Sequence, residues 1–135
     1  MVGNWWLVIG GWLAGVGVIR SYKDLDVWKR SIVLVKDVYN LIKLFPKHET
    51  YALSDQIRRS AVSIPSNIAE GSGRGGTKEF IQFLYIAVGS LCELETQLII
   101  AKDIGYLQDI KSIEKDMVII KKMLNSLITS LKAKI

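Results

Sequence analysis

The sequence contains few of the residues on which metal and redox sites are built. Its 135 residues include one cysteine, Cys92, and one histidine, His48. A single cysteine excludes an intramolecular disulfide and a cysteine-rich zinc site, and it fits a reducing, cytoplasmic setting. No Glu-x-x-His pair occurs, so the ligand set of the di-iron helical proteins is also missing. We therefore expect neither a metal nor another cofactor.

Candidate catalytic residues are equally scarce. His48 follows Phe45 and Pro46 in a segment typical of an exposed turn, and the apolar pattern places no cysteine or serine nucleophile beside it. Glu93 and Glu95 are two positions apart, so on a helix their carboxylates point away from each other and are poorly placed for shared acid–base work. We therefore expect a protein that is not an enzyme.

Charged residues are absent from Met1–Ile19, which holds five of the eleven glycines and three of the four tryptophans. Three interpretations compete. In the first, the segment forms a helix that crosses or lies on a membrane, for which it is long enough. In the second, it is translated non-coding sequence, added because the start was assigned too far upstream. In the third, it packs on the domain as an extension. A secretory signal is disfavoured because a basic start and a small-residue cleavage site are missing. We treat residues 1–20 as an apolar extension and residues 21–135 as one domain.

The remaining chain is mildly basic. All thirteen acidic residues follow Arg20, so residues 21–135 carry +4 of the chain's net charge of +5. Such an excess is compatible with binding to nucleic acid or to an anionic surface, but it is also common in proteins that bind neither. A single domain of this length has a modest core, which favours self-association.

Apolar residues recur every three or four positions from residue 21 onwards, which predicts helices throughout. For the first helix we expect Asp24 to cap the N-terminus and Pro46 to end the helix. Its predicted core stripe comprises Leu25, Trp28, Ile32, Val35, Val38 or Tyr39, and Ile42. A neighbouring stripe of Val27, Leu34 and Leu41 makes the apolar arc wider than one core needs, which indicates a subunit contact.

A second helix is predicted from about Tyr51 to Glu70 or Gly71, with Gly71 as its left-handed C-cap. Pro65 lies inside this helix and should bend it, because proline removes a backbone hydrogen bond. The side chains expected to satisfy the freed carbonyl groups are Ser63, Ser66 and Asn67. In the alternative interpretation, Asn67 and Glu70 lie three residues apart on one face and present a polar site at the bend.

Two further helices are predicted, over residues 77 to about 103 and about 109–131. Gly89 and Ser90 are small residues in the middle of the third helix and should let another backbone approach closely. The fourth helix carries lysines on its outer face, with the basic excess in its second half. Four helices joined by short connections pack most simply as an up-down-up-down bundle, so the predicted fold class is all-α.

The candidate nucleic-acid contacts are four basic residues: Arg58, Arg59, Arg74 and Lys78. Arg74 lies in the run GSGRGG (Gly71–Gly76), which could be mistaken for a phosphate-binding loop. Such loops follow a strand and end in Gly-Lys-Ser/Thr, whereas this run joins two helices. The four side chains are predicted to form one basic patch at one end of the bundle, where they either contact phosphates or form a solvated surface.

Four motifs occur in order along the chain: DLDVWKR (Asp24–Arg30), FPKHETYALSDQIRRS (Phe45–Ser60), SIPSNIAEGSGR (Ser63–Arg74) and GSLCELETQL (Gly89–Leu98). Together they resemble the four-helix-bundle family named after proteins encoded in intervening sequences of bacterial 23S rRNA genes. The resemblance implies a ring-like homopentamer. A related accessory protein of diversity-generating retroelements binds a reverse transcriptase and its RNA through a basic surface, so the resemblance also implies RNA or a reverse transcriptase as partners.

Two functions from different classes remain open. The first is a non-enzymatic, homo-oligomeric scaffold that binds structured RNA or a nucleic-acid enzyme through the four basic residues. The second is a module that binds only proteins, and that is tethered to a membrane if residues 1–19 are native. Salt-dependent affinity for RNA separates the two functions, because only the first requires phosphate contacts.

Overall fold

The computed structural model describes residues 21–49 and 52–135, so the predicted extension of residues 1–20 lies outside the described part of the chain. Four α-helices form the fold: α1 (Asp26–Ile42), α2 (Leu53–Gly73), α3 (Thr77–Asp103) and α4 (Lys111–Lys132). Together with two short 3-10 turns, they place 82% of the described residues in helical structure, and the described part contains no strand. The predicted all-α four-helix fold is confirmed.

The helices form a closed arrangement in which each packs against two others. α1 contacts α2 and α4, and α3 contacts the same two helices from the opposite side. Short connections make consecutive helices antiparallel, as in an up-down-up-down bundle. The core is apolar, and its largest fully buried side chains include Phe80, Leu34, Ile57, Ile64, Leu84 and Leu94. The most extensive helix contact is that between α2 and α3.

The structure confirms Leu25, Val38 and Ile42 of the core stripe predicted for the first helix and corrects the rest of it. The buried residues of this helix are Val27, Ser31, Leu34, Val38 and Ile42. Trp28 and Val35, from the predicted stripe, are only half-buried. The two stripes differ by one position, about 100° around the helix, and periodicity does not choose between them. Since Val27 and Leu34 lie in the core, the apolar width of α1 is no evidence for a subunit contact.

The start of α1 also differs from the prediction. Asp24 belongs to a 3-10 turn that precedes the helix, and the helix begins at Asp26. Ser21 and Asp24 form a capping box on this turn: the Ser21 hydroxyl accepts from the Lys23 N–H at 3.2 Å, and the Asp24 carboxylate accepts from the Ser21 N–H at 3.1 Å. Asp24 therefore caps a turn that leads into the bundle instead of capping α1 itself.

Gly71 lies inside α2 and is buried, so the prediction that it is a left-handed C-cap was wrong. A Cβ atom at this position would lie 2.5 Å from the Cβ of Phe83 on α3, so glycine permits the close approach of the two helices. The left-handed conformation is adopted by Gly75 in the connection, and by Gly105 where α3 ends as predicted. A Cβ at Gly89 would meet nothing within 4 Å, so no backbone of the described chain approaches that residue.

Candidate nucleic-acid interface and interhelical polar seam

Arg58 and Arg59 lie in the second turn of α2 and face different surroundings. Arg58 is half-buried, with its guanidinium carbon 6.0 Å from the centre of the Tyr39 ring on α1. Arg59 projects into solvent, and its guanidinium pairs with the Asp55 carboxylate at 3.0 Å, one helical turn away. Of the two, only Arg59 is fully available to a ligand, and an acidic neighbour partly offsets its charge.

Arg74 and Lys78 flank the connection between α2 and α3. The Arg74 guanidinium donates to the Glu70 carboxylate at 2.9 Å and lies 5.1 Å from the centre of the Phe83 ring. Lys78 is exposed in the first turn of α3. These two residues lie at the same end of the bundle, so this half of the predicted basic patch is brought together.

The structure does not bring the four candidate contacts into one patch. Arg74, the C-cap of α2, follows Arg59 by fifteen positions, which corresponds to about 23 Å along the helix axis. Arg58 and Arg59 therefore lie towards the end of the bundle opposite to Arg74 and Lys78. Any ligand that contacts all four must follow the whole length of α2.

The predicted polar residues around Pro65 form a hydrogen-bonded group between α2 and α3. α2 continues through Pro65, which is buried. The Asn67 side-chain amide donates to the carbonyl oxygen and to the hydroxyl of Ser63, each at 2.8 Å. The Ser63 hydroxyl also lies 2.8 Å from that of Ser90 on α3. Ser66 is exposed on the outer side of α2, so it does not join this group.

A second group lies about one turn further along the same helix contact. Ser60 and Gln97 are both buried, and the Ser60 hydroxyl lies 2.9 Å from the side-chain oxygen of Gln97 and 2.8 Å from a carboxylate oxygen of Glu93. The Gln97 amide donates to that same Glu93 oxygen at 3.2 Å. Burying a polar group without a hydrogen bond destabilises a fold. Ser60 and Gln97 both avoid this cost, because each has a hydrogen-bond partner on the facing helix or on its own helix.

We call these two groups the polar seam. It comprises Ser60, Ser63 and Asn67 on α2 and Ser90, Glu93 and Gln97 on α3. On both helices the spacing is three and then four residues, which places each set in one stripe. The sequence indicates part of the α2 set through Pro65, but it does not show which residues of α3 lie opposite each of them.

The alternative polar site of Asn67 and Glu70 is not formed as a pair. The Asn67 amide is turned towards Ser63, and the Glu70 carboxylate pairs with Arg74. Within the described ranges, no group of three histidine, cysteine or acidic side chains is placed to hold a metal ion. The chemistry of the seam is thus that of hydrogen bonding between helices.

The most strongly positive surface lies on α4, on the outer face where lysines were predicted. We call it the α4 basic face; its residues are Lys111, Lys115, Lys121, Lys122 and Lys132, and all five are exposed. None of them takes part in an ion pair with another described residue. The predicted position of these lysines on the outer face of the fourth helix is confirmed.

α3 has a largely uncovered outer surface, over which the Lys132 ammonium nitrogen of α4 lies 5.0 Å from the centre of the Tyr85 ring. We call it the α3 apolar face; its residues are Tyr85, Ile86, Gly89, Cys92, Thr96, Ile99 and Ile100. Its four large apolar side chains are 43–49% exposed. By length and composition α3 is also the one described helix that could cross a membrane, a test that core helices of other proteins pass as well.

The family model of the 23S rRNA-intervening sequence proteins matches residues 23–126, most of the described bundle. A solved structure from Bacteroides thetaiotaomicron VPI-5482, a protein of unknown function from the S23 ribosomal protein family, superimposes with a TM-score of 0.70. It is 30% identical in sequence, and the alignment covers 76% of this chain and 97% of that one. No curated protein matches the sequence. On the extent of the family match, the chain belongs to the 23S rRNA-intervening sequence protein family.

Proposed function

We propose that the protein is a non-enzymatic, homo-oligomeric scaffold that binds structured RNA. The observation that carries self-association is the α3 apolar face. From Tyr85 to Ile100 it extends about 23 Å along the helix axis, and the one charged residue within its arc, Glu93, is engaged in the polar seam. Contiguous apolar patches of this kind mark interaction surfaces, whereas exposed apolar residues scattered singly do not.

The proposed assembly is the ring of five subunits that the resemblance implies. A ring is built from heterologous contacts, in which one surface of a subunit meets a different surface of the next. In this proposal the α3 apolar face supplies one of the two surfaces. Gly89, at the centre of that face, leaves room for a neighbouring helix because a Cβ there would touch nothing in its own chain.

Light scattering on the full chain tests self-association. We expect a stable oligomer at micromolar concentration, and we expect the double variant Ile99→Glu/Ile100→Glu to dissociate it while helix content is retained. Val33→Glu is the matched control, since Val33 is an exposed apolar residue on α1, 53% exposed and outside the α3 apolar face. A wild-type monomer at this concentration would overturn the oligomeric scaffold.

RNA is proposed as the partner because the domain carries a net positive charge and because the family takes its name from the 23S rRNA-intervening sequence. Lysine and arginine that neutralise phosphates release counterions, so affinity for RNA should fall as salt rises. Filter binding of a transcribed stem-loop RNA across a salt series measures this. Affinity no tighter than the non-specific range of about 10⁻⁴ to 10⁻⁶ M would favour a module that binds only proteins.

A further inference from the structure

The positive charge of the domain is concentrated in one helix. Residues 21–110 contain eleven basic and eleven acidic residues and have no net charge. Residues 111–135, which are α4 and its short tail, contain six lysines and two acidic residues. The entire net charge of +4 on residues 21–135 therefore lies on α4 and the tail, and no acidic residue follows Asp116.

The lysines of α4 are presented to solvent along the length of the helix. From Lys111 to Lys132 the α4 basic face extends about 31 Å along the helix axis. Asn125, Ser126 and Thr129 lie exposed between the lysines and offer hydrogen-bond donors and acceptors. Arg59 and Arg74, by contrast, each pair with a carboxylate four residues away. The α4 lysines therefore provide the part of the domain where positive charge is least offset.

We propose that the α4 basic face binds the phosphate backbone of RNA. This inference rests on the RNA binding of the proposed function and names its site. Positive side chains in a row neutralise successive phosphates, and hydroxyl and amide side chains between them can bond to phosphate oxygens and 2′-hydroxyl groups. α4 carries no aromatic side chain on which bases could stack, and the neighbouring Tyr85 ring of α3 lies against the Lys132 ammonium, so binding should depend little on sequence.

The surroundings of α4 favour RNA over an anionic membrane. A helix that lies on a bilayer inserts an apolar face beneath its lysines. The apolar face of α4 is instead buried in the bundle, and its buried residues are Ile113, Met117, Ile120, Leu124, Leu127, Ile128 and Leu131. Among the outward-facing residues of α4, Val118 is the one large exposed apolar side chain, at 47% exposure. The helix thus offers charge and hydrogen bonds, with almost nothing to insert into lipid.

Two variants with equal loss of charge test the site in the full chain. Variant A is Lys115→Gln/Lys121→Gln/Lys122→Gln/Lys132→Gln, and variant B is Arg58→Gln/Arg59→Gln/Arg74→Gln/Lys78→Gln. Filter binding of a stem-loop RNA is measured across a salt series for both variants and the wild type. For variant A we expect affinity to fall at least about tenfold, and the slope of log affinity against log salt to flatten by about three units. Variant B should change that slope by less than about one unit.

Circular dichroism and light scattering show whether both variants keep the fold and the oligomer. Should variant A fail to fold, Lys115→Gln/Lys122→Gln replaces it, with an expected change in slope of about 1.5 units. A wild-type slope that persists in variant A but is lost in variant B would overturn the α4 site and leave the proposed function standing. If the wild-type protein has no salt-dependent affinity for RNA, both the α4 site and the proposed RNA binding are overturned. The same holds if the protein binds anionic lipid vesicles but not RNA.

Discussion

At the scale of single residues, Gly71 shows how one missing side chain determines the distance between two helices. A Cβ there would lie 2.5 Å from the Phe83 Cβ and 3.0 Å from a ring carbon of Phe80. Neither contact is relieved by turning the end of a flexible side chain, because the nearer atom is attached directly to the backbone. To accept even alanine, α2 and α3 must move apart.

We expect Gly71→Ala to destabilise the fold by about 1–2 kcal/mol. Overpacking costs about 1–3 kcal/mol, and the better helix propensity of alanine returns up to about 1 kcal/mol. Gly73→Ala is the control, because a Cβ at Gly73 meets nothing within 4 Å, and it should be neutral or slightly stabilising. Urea unfolding at one protein concentration measures both. Equal midpoints for the two variants would show that the helices separate at no cost.

Asn67 is the second residue whose role the structure makes testable. We expect Asn67→Ala to reduce the free energy of unfolding by about 1 kcal/mol, the lower end of the range for a part-buried hydrogen-bonding side chain. The reason is that the Ser63 hydroxyl keeps its contact with Ser90 when the amide is removed. Ser66→Ala, at an exposed position one residue earlier, should change the free energy of unfolding by less than about 0.5 kcal/mol. If the urea midpoint of Asn67→Ala equals that of the wild type, water replaces the hydrogen bonds that the amide donates to Ser63.

At the scale of helices, the polar seam gives the α2–α3 contact a fixed register. Its hydrogen bonds join particular residues, and they add to the register that the close fit of Gly71 against Phe83 requires. Ser63 on α2 and Ser90 on α3 form the simplest of these pairs, with their hydroxyl oxygens 2.8 Å apart. A slip of one turn would separate these two half-buried hydroxyl groups and break their hydrogen bond.

A double-mutant cycle on Ser63→Ala and Ser90→Ala measures this coupling. We expect the two substitutions to be non-additive by about 0.5–1.5 kcal/mol, because either one alone removes the same hydrogen bond. Ser63→Ala combined with Thr96→Ala is the control. The Thr96 hydroxyl donates to the Cys92 carbonyl of its own helix, so these two changes should add within about 0.5 kcal/mol. Additivity in both cycles would mean that the seam does not couple the helices.

The helices themselves could be predicted, because a three-to-four-residue apolar period depends only on local geometry. The predicted ranges of about 109–131 and 77–103 agree with α4 and α3 to within two residues. The core stripe of α1 could be predicted only in part, because the apolar arc spans two neighbouring stripes and the buried one includes a serine, Ser31. The role of Gly71 was missed for another reason: it depends on Phe83 lying opposite, which is a matter of tertiary register.

Some features of the candidate site could also be predicted from the sequence, whereas others could not. The rise of a helix alone separates Arg59 from Arg74 by about 23 Å, so counting residues would already have excluded a single patch. The pairing of Arg74 with Glu70 is a four-residue spacing and was also open to prediction. The positions of Glu93 and Gln97 beside Ser60 could not be predicted, because they follow from how α2 and α3 align in space.

At the scale of the whole molecule, exposed apolar surface and net charge are presented by different helices. The α3 apolar face carries the apolar surface, and the α4 basic face carries the positive charge. In the proposed ring, subunits joined through α3 would repeat the α4 basic face once per subunit. A bound RNA that reaches several copies gains affinity from each additional contact without any new chemistry.

If burial of the α3 apolar face stabilises each subunit, stability must depend on protein concentration. Above the dissociation constant, a tenfold increase in concentration stabilises the bound subunit by up to about 1.4 kcal/mol, which raises the melting temperature by a few degrees. Ile99→Glu/Ile100→Glu should melt at a temperature that does not change with concentration, whereas Val33→Glu should behave as the wild type does. Scanning calorimetry over a hundredfold range of concentration resolves the difference. A wild-type melting temperature that stays constant over this range would show that the apolar face contributes nothing through self-association.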